Sequence, residues 1–265
     1  MAQVGAVRLY YEVAGEGRPF VMIHAGVADS RQWNNEFAHF SKSYRVLRYD
    51  LRGYGRSEPV EGEFRHMDDL VTLLDHVGMY EPLVLMGCSM GGGLAMDFAL
   101  EFPQRVKALI LTGSAPSGLK LDVPPPPKYD EAVKADEAAD WDLLCELEVQ
   151  IWFDGSGRTP DQVDPAARRL AYDMNRIALS HEARGLGKRL PDASNPAAER
   201  LEKLATPLLV IVGEHDTPYI LAAADWMLAR LPSARKVVID DAAHLANLDP
   251  PELFRETVRS FLEDR

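Results

Sequence analysis

The chain has 265 residues, 46% of them hydrophobic and 26% charged, and carries a formal net charge of −12. That is enough chain to bury a substantial core, in the proportions of an ordinary globular protein. The acidic balance argues against nucleic acid or an anionic membrane surface as a partner, and no run approaches the ~18 apolar residues a membrane span needs.

In chain order, apolar runs bounded by turn residues predict strands over 8–13 and 19–24, then a helix over 31–40. A strand over 45–50, a helix over 65–77, a strand over 83–87, a helix over 90–102 and a strand over 106–112 continue the alternation. One segment then breaks the rhythm. Residues 113–207 contain the four-proline run Pro124 to Pro127, a semi-rigid spacer, and helical patterns over 130–153, 165–180 and 196–204. The alternation resumes with a strand over 208–212, a helix over 219–231, a strand over 236–239 and a helix over 251–263. Asp249 is the expected N-cap of that last helix, with Pro250 and Pro251 in its first turn. Near-continuous apolar strands alternating with helices imply a mostly parallel α/β sheet covered on both faces. The expected division is a core of residues 1–115 and 206–265 with a helical cap over 116–205. Such a cap lies over the carboxyl edge of the sheet, where ligands bind in open α/β folds. The first residues show no basic stretch before an apolar run, so no signal peptide is expected. Two cysteines, Cys88 and Cys145, make no disulfide framework. A reduced, cytoplasmic enzyme is expected.

The most informative pattern is Gly87-Cys88-Ser89-Met90-Gly91-Gly92, directly after an apolar strand and before a helix. A serine at the tip of so sharp a turn has strained dihedrals, and bulky residues two positions away would collide with the turn. The bare pattern arises by chance in about one chain in ten of this length; the strand-to-helix context makes it far more specific. Cys88 beside it reads as a small buried thiol. A serine nucleophile needs a base, and the base needs a carboxylate to orient it. Of the seven histidines, His39, His66 and His76 fall within predicted helices, and His24 reads as a brace for its loop. His244 follows the last strand, at the sheet edge where catalytic residues of such folds collect. Asp216 follows the strand over 208–212 and is the expected acid, with Glu214, Asp240 and Asp241 as alternatives; His215 should point away from it.

With these residues in place, the whole chain resembles the α/β-hydrolase family, in its serine-nucleophile, esterase-like branch. Ser89, Asp216 and His244 stand in the family's Ser…Asp…His order. Gly213 to Pro218 resembles its acid loop, and Asp50-Leu51-Arg52-Gly53-Tyr54-Gly55-Arg56-Ser57 a segment read here as structural, with Asp50 and Arg52 tying a loop together. The resemblance implies an oxyanion hole made of the Met90 and Gly26 amides, with Val27 the alternative to Gly26. It implies acyl transfer to water through an acyl-serine, because relatives that work through an alkyl-enzyme ester, the epoxide hydrolases and haloalkane dehalogenases, use a carboxylate nucleophile. The expected substrate is a small, largely neutral ester, with no cofactor and no metal. Trp152 and Phe153 are candidates for the acyl pocket, and Leu245 is a third pocket candidate. Carbon–carbon bond hydrolases of aromatic degradation and enol-lactonases are the alternatives; the former differ at Cys88, Ala25 to Ala28 and Leu245. A non-catalytic binding protein of the same fold is a minor alternative.

Overall fold

Runs of Val, Ile and Leu bury both faces of a strand, and in the computed structural model they lie side by side in one sheet. The structure describes residues 1–5 and 7–263; Ala6, Asp264 and Arg265, which the sequence reading assigns to the core, lie outside the described residues. An antiparallel pair, β1 (Ala2–Val4) and β2 (Val7–Leu9), precedes β3 (Tyr11–Ala14) and β4 (Pro19–Ile23). Then come α1 (Asn34–Phe40), β5 (Arg45–Tyr49), β6 (Glu63–Phe64), α2 (His66–His76), β7 (Leu83–Cys88), α3 (Met90–Glu101) and β8 (Val106–Thr112). The inserted segment holds α4 (Tyr129–Glu137), α5 (Trp141–Val149), α6 (Pro165–Glu182), β9 (Lys188–Arg189) and α7 (Ala197–Arg200). The chain closes with β10 (Leu208–Gly213), α8 (Pro218–Arg230), β11 (Arg235–Ile239) and α9 (Pro251–Glu263).

Seven strands form the main sheet in the order β11-β10-β8-β7-β4-β5-β3. Every neighbouring pair is parallel except β3 with β5. Along β7 the side chains alternate between two cores: Leu83 and Leu85 pack on one face of the sheet, Val84 and Met86 on the other. This is the period-2 burial that a strand covered on both faces requires. No helix among the described residues is long and apolar enough to cross a membrane.

Four expectations need correcting. The strand expected over 8–13 breaks at Tyr10, so its first half pairs with β1 and only its second half joins the sheet edge. The helix expected from 31 starts as a 3₁₀ turn, Ser30–Trp33, because Asp29 caps it through the Arg31 N–H at 2.9 Å. The helix expected over 130–153 is interrupted at Ala139, which has φ 51°; Asp140 then caps α5 through the Leu143 N–H. The final helix begins at Pro251, so Asp249 stands outside the cap position and its carboxylate accepts instead from the Asp164 N–H.

Helices α4, α5 and α6 pack on one another through Ala132, Ala135, Leu144, Cys145, Leu147 and Leu179. Among the links that fasten this unit to the rest of the chain are a strand pair and an arginine. Strand β6 pairs with β9, and Arg158 donates to the carbonyls of Phe153, Asp154 and Asp241. The segment around α7 differs in placement, since Ala197, Leu201 and Leu204 enter the core cluster that contains α3.

Candidate active site

Strand β7 ends in a turn that only small residues can make. Ser89 takes φ 51° and ψ −116°, and its N–H donates to the Thr112 carbonyl at 3.0 Å. A Cβ on Gly87 would lie 2.3 Å from the Gly91 carbonyl oxygen, and one on Gly91 would lie 2.5 Å from the Ile23 and His24 carbonyls. Both glycines are therefore fixed by backbone approach rather than by flexibility. The first turn of α3 follows at once, with the Gly92 and Gly93 amides donating to the Ser89 carbonyl and the Met90 amide left at the helix start.

The acid loop after β10 and the histidine loop after β11 are sewn together by backbone hydrogen bonds from Glu214 to Ile239 and from His215 to Ala242. This brings Asp216 and His244 together, both buried. His244 Nδ1 lies 2.9 Å and 3.2 Å from the two Asp216 carboxylate oxygens, and the Thr217 N–H donates to Oδ1 at 2.7 Å. Asp216 is thus the carboxylate on the imidazole. Glu214 is exposed and accepts from the Asp241 N–H, and the His215 ring bonds to the Ser156 carbonyl, away from Asp216. With Nδ1 occupied, Nε2 is the nitrogen His244 offers to the cavity.

That cavity measures about 670 Å³ and is lined by both Ser89 and His244. Ser89 and the imidazole are not hydrogen-bonded to each other; such contacts tighten when substrate binds. Trp152 lies on the wall with its ring centroid 4.7 Å from that of His244. Phe153 and Leu245, expected at the pocket, are instead buried in the hydrophobic core and do not line it. Five residues of a π-helical turn, Gln150–Asp154, carry Trp152 and Phe153 to opposite duties. Gly26 sits beside Met90, a Cβ built on it meeting the Met90 side chain at 3.8 Å, and it lines an adjoining pocket of about 220 Å³ with Val27. The Ala25 amide is taken by Gln32 Oε1 at 2.9 Å, whereas the Gly26 and Val27 amides have no acceptor among the described residues.

His24 braces as expected: Nδ1 donates to the Ala25 carbonyl at 2.7 Å and Nε2 accepts from the Leu51 N–H at 2.9 Å. Burial pushes its pKa down, which keeps it neutral. Asp50 and Arg52 each tie a loop, though not to one another. Asp50 accepts from the Ser30 and Arg56 amides, and Arg52 forms a two-pronged pair with Asp69. Cys88 is buried against the His244 carbonyl, and burial pushes its thiol up to about 12, so it stays protonated.

Several site residues had no sequence signal. Gly113, with φ 53°, lies under the imidazole: a Cβ there would be 2.9 Å from His244 Nδ1. Asn247 donates to the Gln32 carbonyl and to Glu36 Oε2 and accepts from Gln32 Nε2, locking the histidine loop to the Gly26 loop. The cavity wall also carries Asp97, Arg189 and Asp192, charges that the sequence reading did not place at the site. The ligand atoms of Glu214, His215 and Asp241 lie within 4.8 Å of one another, but none of these residues lines the cavity.

Comparisons with known proteins agree with this layout. A model of the alpha/beta hydrolase fold family matches residues 18–251. The chain is 27% identical to the pimeloyl-[acyl-carrier protein] methyl ester esterase of Nitrosospira multiformis, over 97% of this chain and 99% of that one. It is 30% identical to the 2-hydroxy-6-oxononadienedioate/2-hydroxy-6-oxononatrienedioate hydrolase of Paraburkholderia xenovorans, over 97% of this chain and 91% of the other. Among solved structures, the enol-lactonase from Burkholderia xenovorans superimposes with a TM-score of 0.77 at 26% identity, covering 99% of each chain.

Proposed function

The chain belongs to the alpha/beta hydrolase fold family, and within it we propose a serine hydrolase that cleaves small carboxylic esters through an acyl-serine intermediate. The observation that carries this reading is the buried Asp216–His244 pair beside a cavity whose wall includes the elbow serine. Ser89 Oγ attacks the ester carbonyl while His244 Nε2 takes its proton. Asp216 holds the Nδ1–H and stabilises the imidazolium. The oxyanion accepts from the Met90 and Gly26 amides, a role that needs donors fixed before the charge develops. Collapse of the tetrahedral intermediate expels the alkoxide, which takes the Nε2 proton. A water, deprotonated by the same nitrogen, then releases the acid and restores the serine. No step calls for a cofactor. Two free, buried cysteines suit a reducing, cytoplasmic setting.

The relatives favour a second reading, since their names include a carbon–carbon bond hydrolase and an enol-lactonase. Both would use the same serine and imidazole and differ in the bond presented to them. A panel of nitrophenyl esters of rising acyl length, run on wild type and Ser89→Ala, tests the proposal. Loss of the nucleophile should cost about 10⁴–10⁶-fold in turnover. Undiminished activity in Ser89→Ala would sink the mechanism; no ester turnover in wild type, with turnover of a ring-fission diketone, would transfer it to the carbon–carbon hydrolases.

A further inference from the structure

Helix α3 begins at the candidate nucleophile and runs along the cavity. Ser89, Gly93 and Asp97 are spaced four apart on one ridge of that helix, and all three line the cavity. A carboxylate is out of place there. The rest of α3 is almost entirely apolar, and Asp97 is 97% buried. Its Oδ1 accepts from Ser117 Oγ at 2.9 Å, and Ser117 in turn is held by the Ala197 N–H at 2.7 Å. Arg200 Nη2 stands 3.8 Å from the same oxygen and its guanidinium also serves Glu101. Oδ2 has no hydrogen-bond donor among the described residues. Its neighbour on the wall, Asp192, is fully engaged, one oxygen with the Met67 N–H and the other with Arg189.

A carboxylate oxygen on a cavity wall with no donor of its own can be reached by a donor on a bound molecule. We propose that Asp97 is a specificity residue: it receives a hydrogen-bond donor, hydroxyl or ammonium, at the far end of the substrate's longer arm. This rests on the reading of Ser89 as nucleophile and adds the chemistry of the chain attached to the scissile bond. Eight residues of helix separate Ser89 from Asp97, about 12 Å along the axis. An extended chain advances about 1.25 Å per bond, so once about 3 Å is set aside for the hydrogen bond to Asp97, an arm of about seven or eight bonds covers that span. Gly93, midway, leaves the floor open for it. Charge sets the sign of the preference. Asp97 and Asp192 line the cavity against one cation, Arg189, so a terminal carboxylate meets a net negative end.

The test compares four ethyl esters of one length: octanoate, ω-hydroxyheptanoate, ω-aminoheptanoate and suberate half-ester. The matching acetates of octanol, ω-amino-alcohol and diol cover the case in which the long arm is the alcohol. Wild type should favour the hydroxyl- or amino-terminated arm in one series and disfavour the carboxylate. Asp97→Asn keeps an acceptor for Ser117, and it should lower the kcat/KM ratio of ω-amino to alkyl substrate about 10- to 100-fold, chiefly through KM. An equal loss on all esters, or a wild-type preference for the carboxylate, overturns the proposal. A second readout is independent of catalysis and of the variant's yield: calorimetric binding of octylamine and octanol to Ser89→Ala with Asp97 intact, then with Asp97→Asn. Inertness to every ester with donor-selective binding refutes the esterase reading alone. Equal binding of amine and alcohol to an unbranched alkane control refutes the role of Asp97.

Discussion

Replacing Glu36 by Gln should make the protein more stable, and the gain should grow with pH. Glu36 is wholly buried; Oε2 accepts from Asn247 Nδ2 at 3.0 Å, and Oε1 has no partner. Burial, only partly offset by that hydrogen bond, pushes its pKa from an ordinary 4.5 to about 8. The unfolded chain releases this proton near 4.5, whereas the folded protein keeps it to about 8. Between those values the folded state binds more protons, so the contribution to stability is fully present below 4.5 and is lost as pH rises through 8. From about pH 5 to about pH 8 the loss amounts to about 3 to 4 kcal/mol, at ~1.4 kcal/mol per unit. Glutamine matches the protonated acid in shape and cannot ionise. Urea unfolding of both proteins at about pH 5, 6.5 and 8 reads the difference directly, because every other titrating group cancels between them. The variant should lie within about 1 kcal/mol of wild type at the acid end and gain about 3 to 4 kcal/mol at the alkaline end. A difference that does not change with pH refutes the reasoning.

Two further outcomes concern the reacting groups. Asp216→Asn should lower kcat by about 10⁴-fold, because the amide favours the wrong imidazole tautomer, while the exposed Glu214→Gln should leave ester turnover near wild type. Steady-state kinetics on one nitrophenyl ester decides it, and the reverse ranking would move the acid to Glu214. Trp152→Ala removes a ring contact worth about 0.5–1.5 kcal/mol and should cost about 3- to 10-fold in kcat/KM, with Trp152→Phe restoring most of it; no loss on either substitution would show that the indole neither positions His244 nor touches substrate.

Much of the framework was legible because its signals are local. Ser89, Asp216 and His244 each follow an apolar run, and a strand's end can be read from a few residues. The structure adds what depends on distance in sequence. Gln32 and Glu36 meet Asn247 across the whole chain, and no pattern near any of them announces the network. Gly113 reads as one more strand-ending glycine until the imidazole is seen to lie over it. Trp152 and Phe153 were indistinguishable for a different reason. A 3.6-residue repeat assigns faces only while the helix keeps that pitch, and the turn at Gln150–Asp154 is π-helical. Asp97 did leave a trace, a carboxylate in the middle of an apolar helix eight residues after the serine, but its meaning depends on the cavity beneath the cap.

Two of the positions at which carbon–carbon hydrolases differ, Cys88 and Leu245, act through packing. Cys88 is buried in the sheet with its thiol protonated, and Leu245 joins the core beside Phe254 and Val258. Neither lines the cavity, so neither can sort an ester from a diketone by contact. What lines the cavity is Trp152, the prolines from Pro124 to Pro126 and Tyr129 on the cap side, and Asp97 on the floor. The serine, imidazole and carboxylate sit on loops fixed by the sheet and would serve an ester, a lactone or a carbon–carbon bond alike. On the proposed mechanism, the choice among those bonds therefore rests on the cavity wall, whose apolar length ends at Asp97.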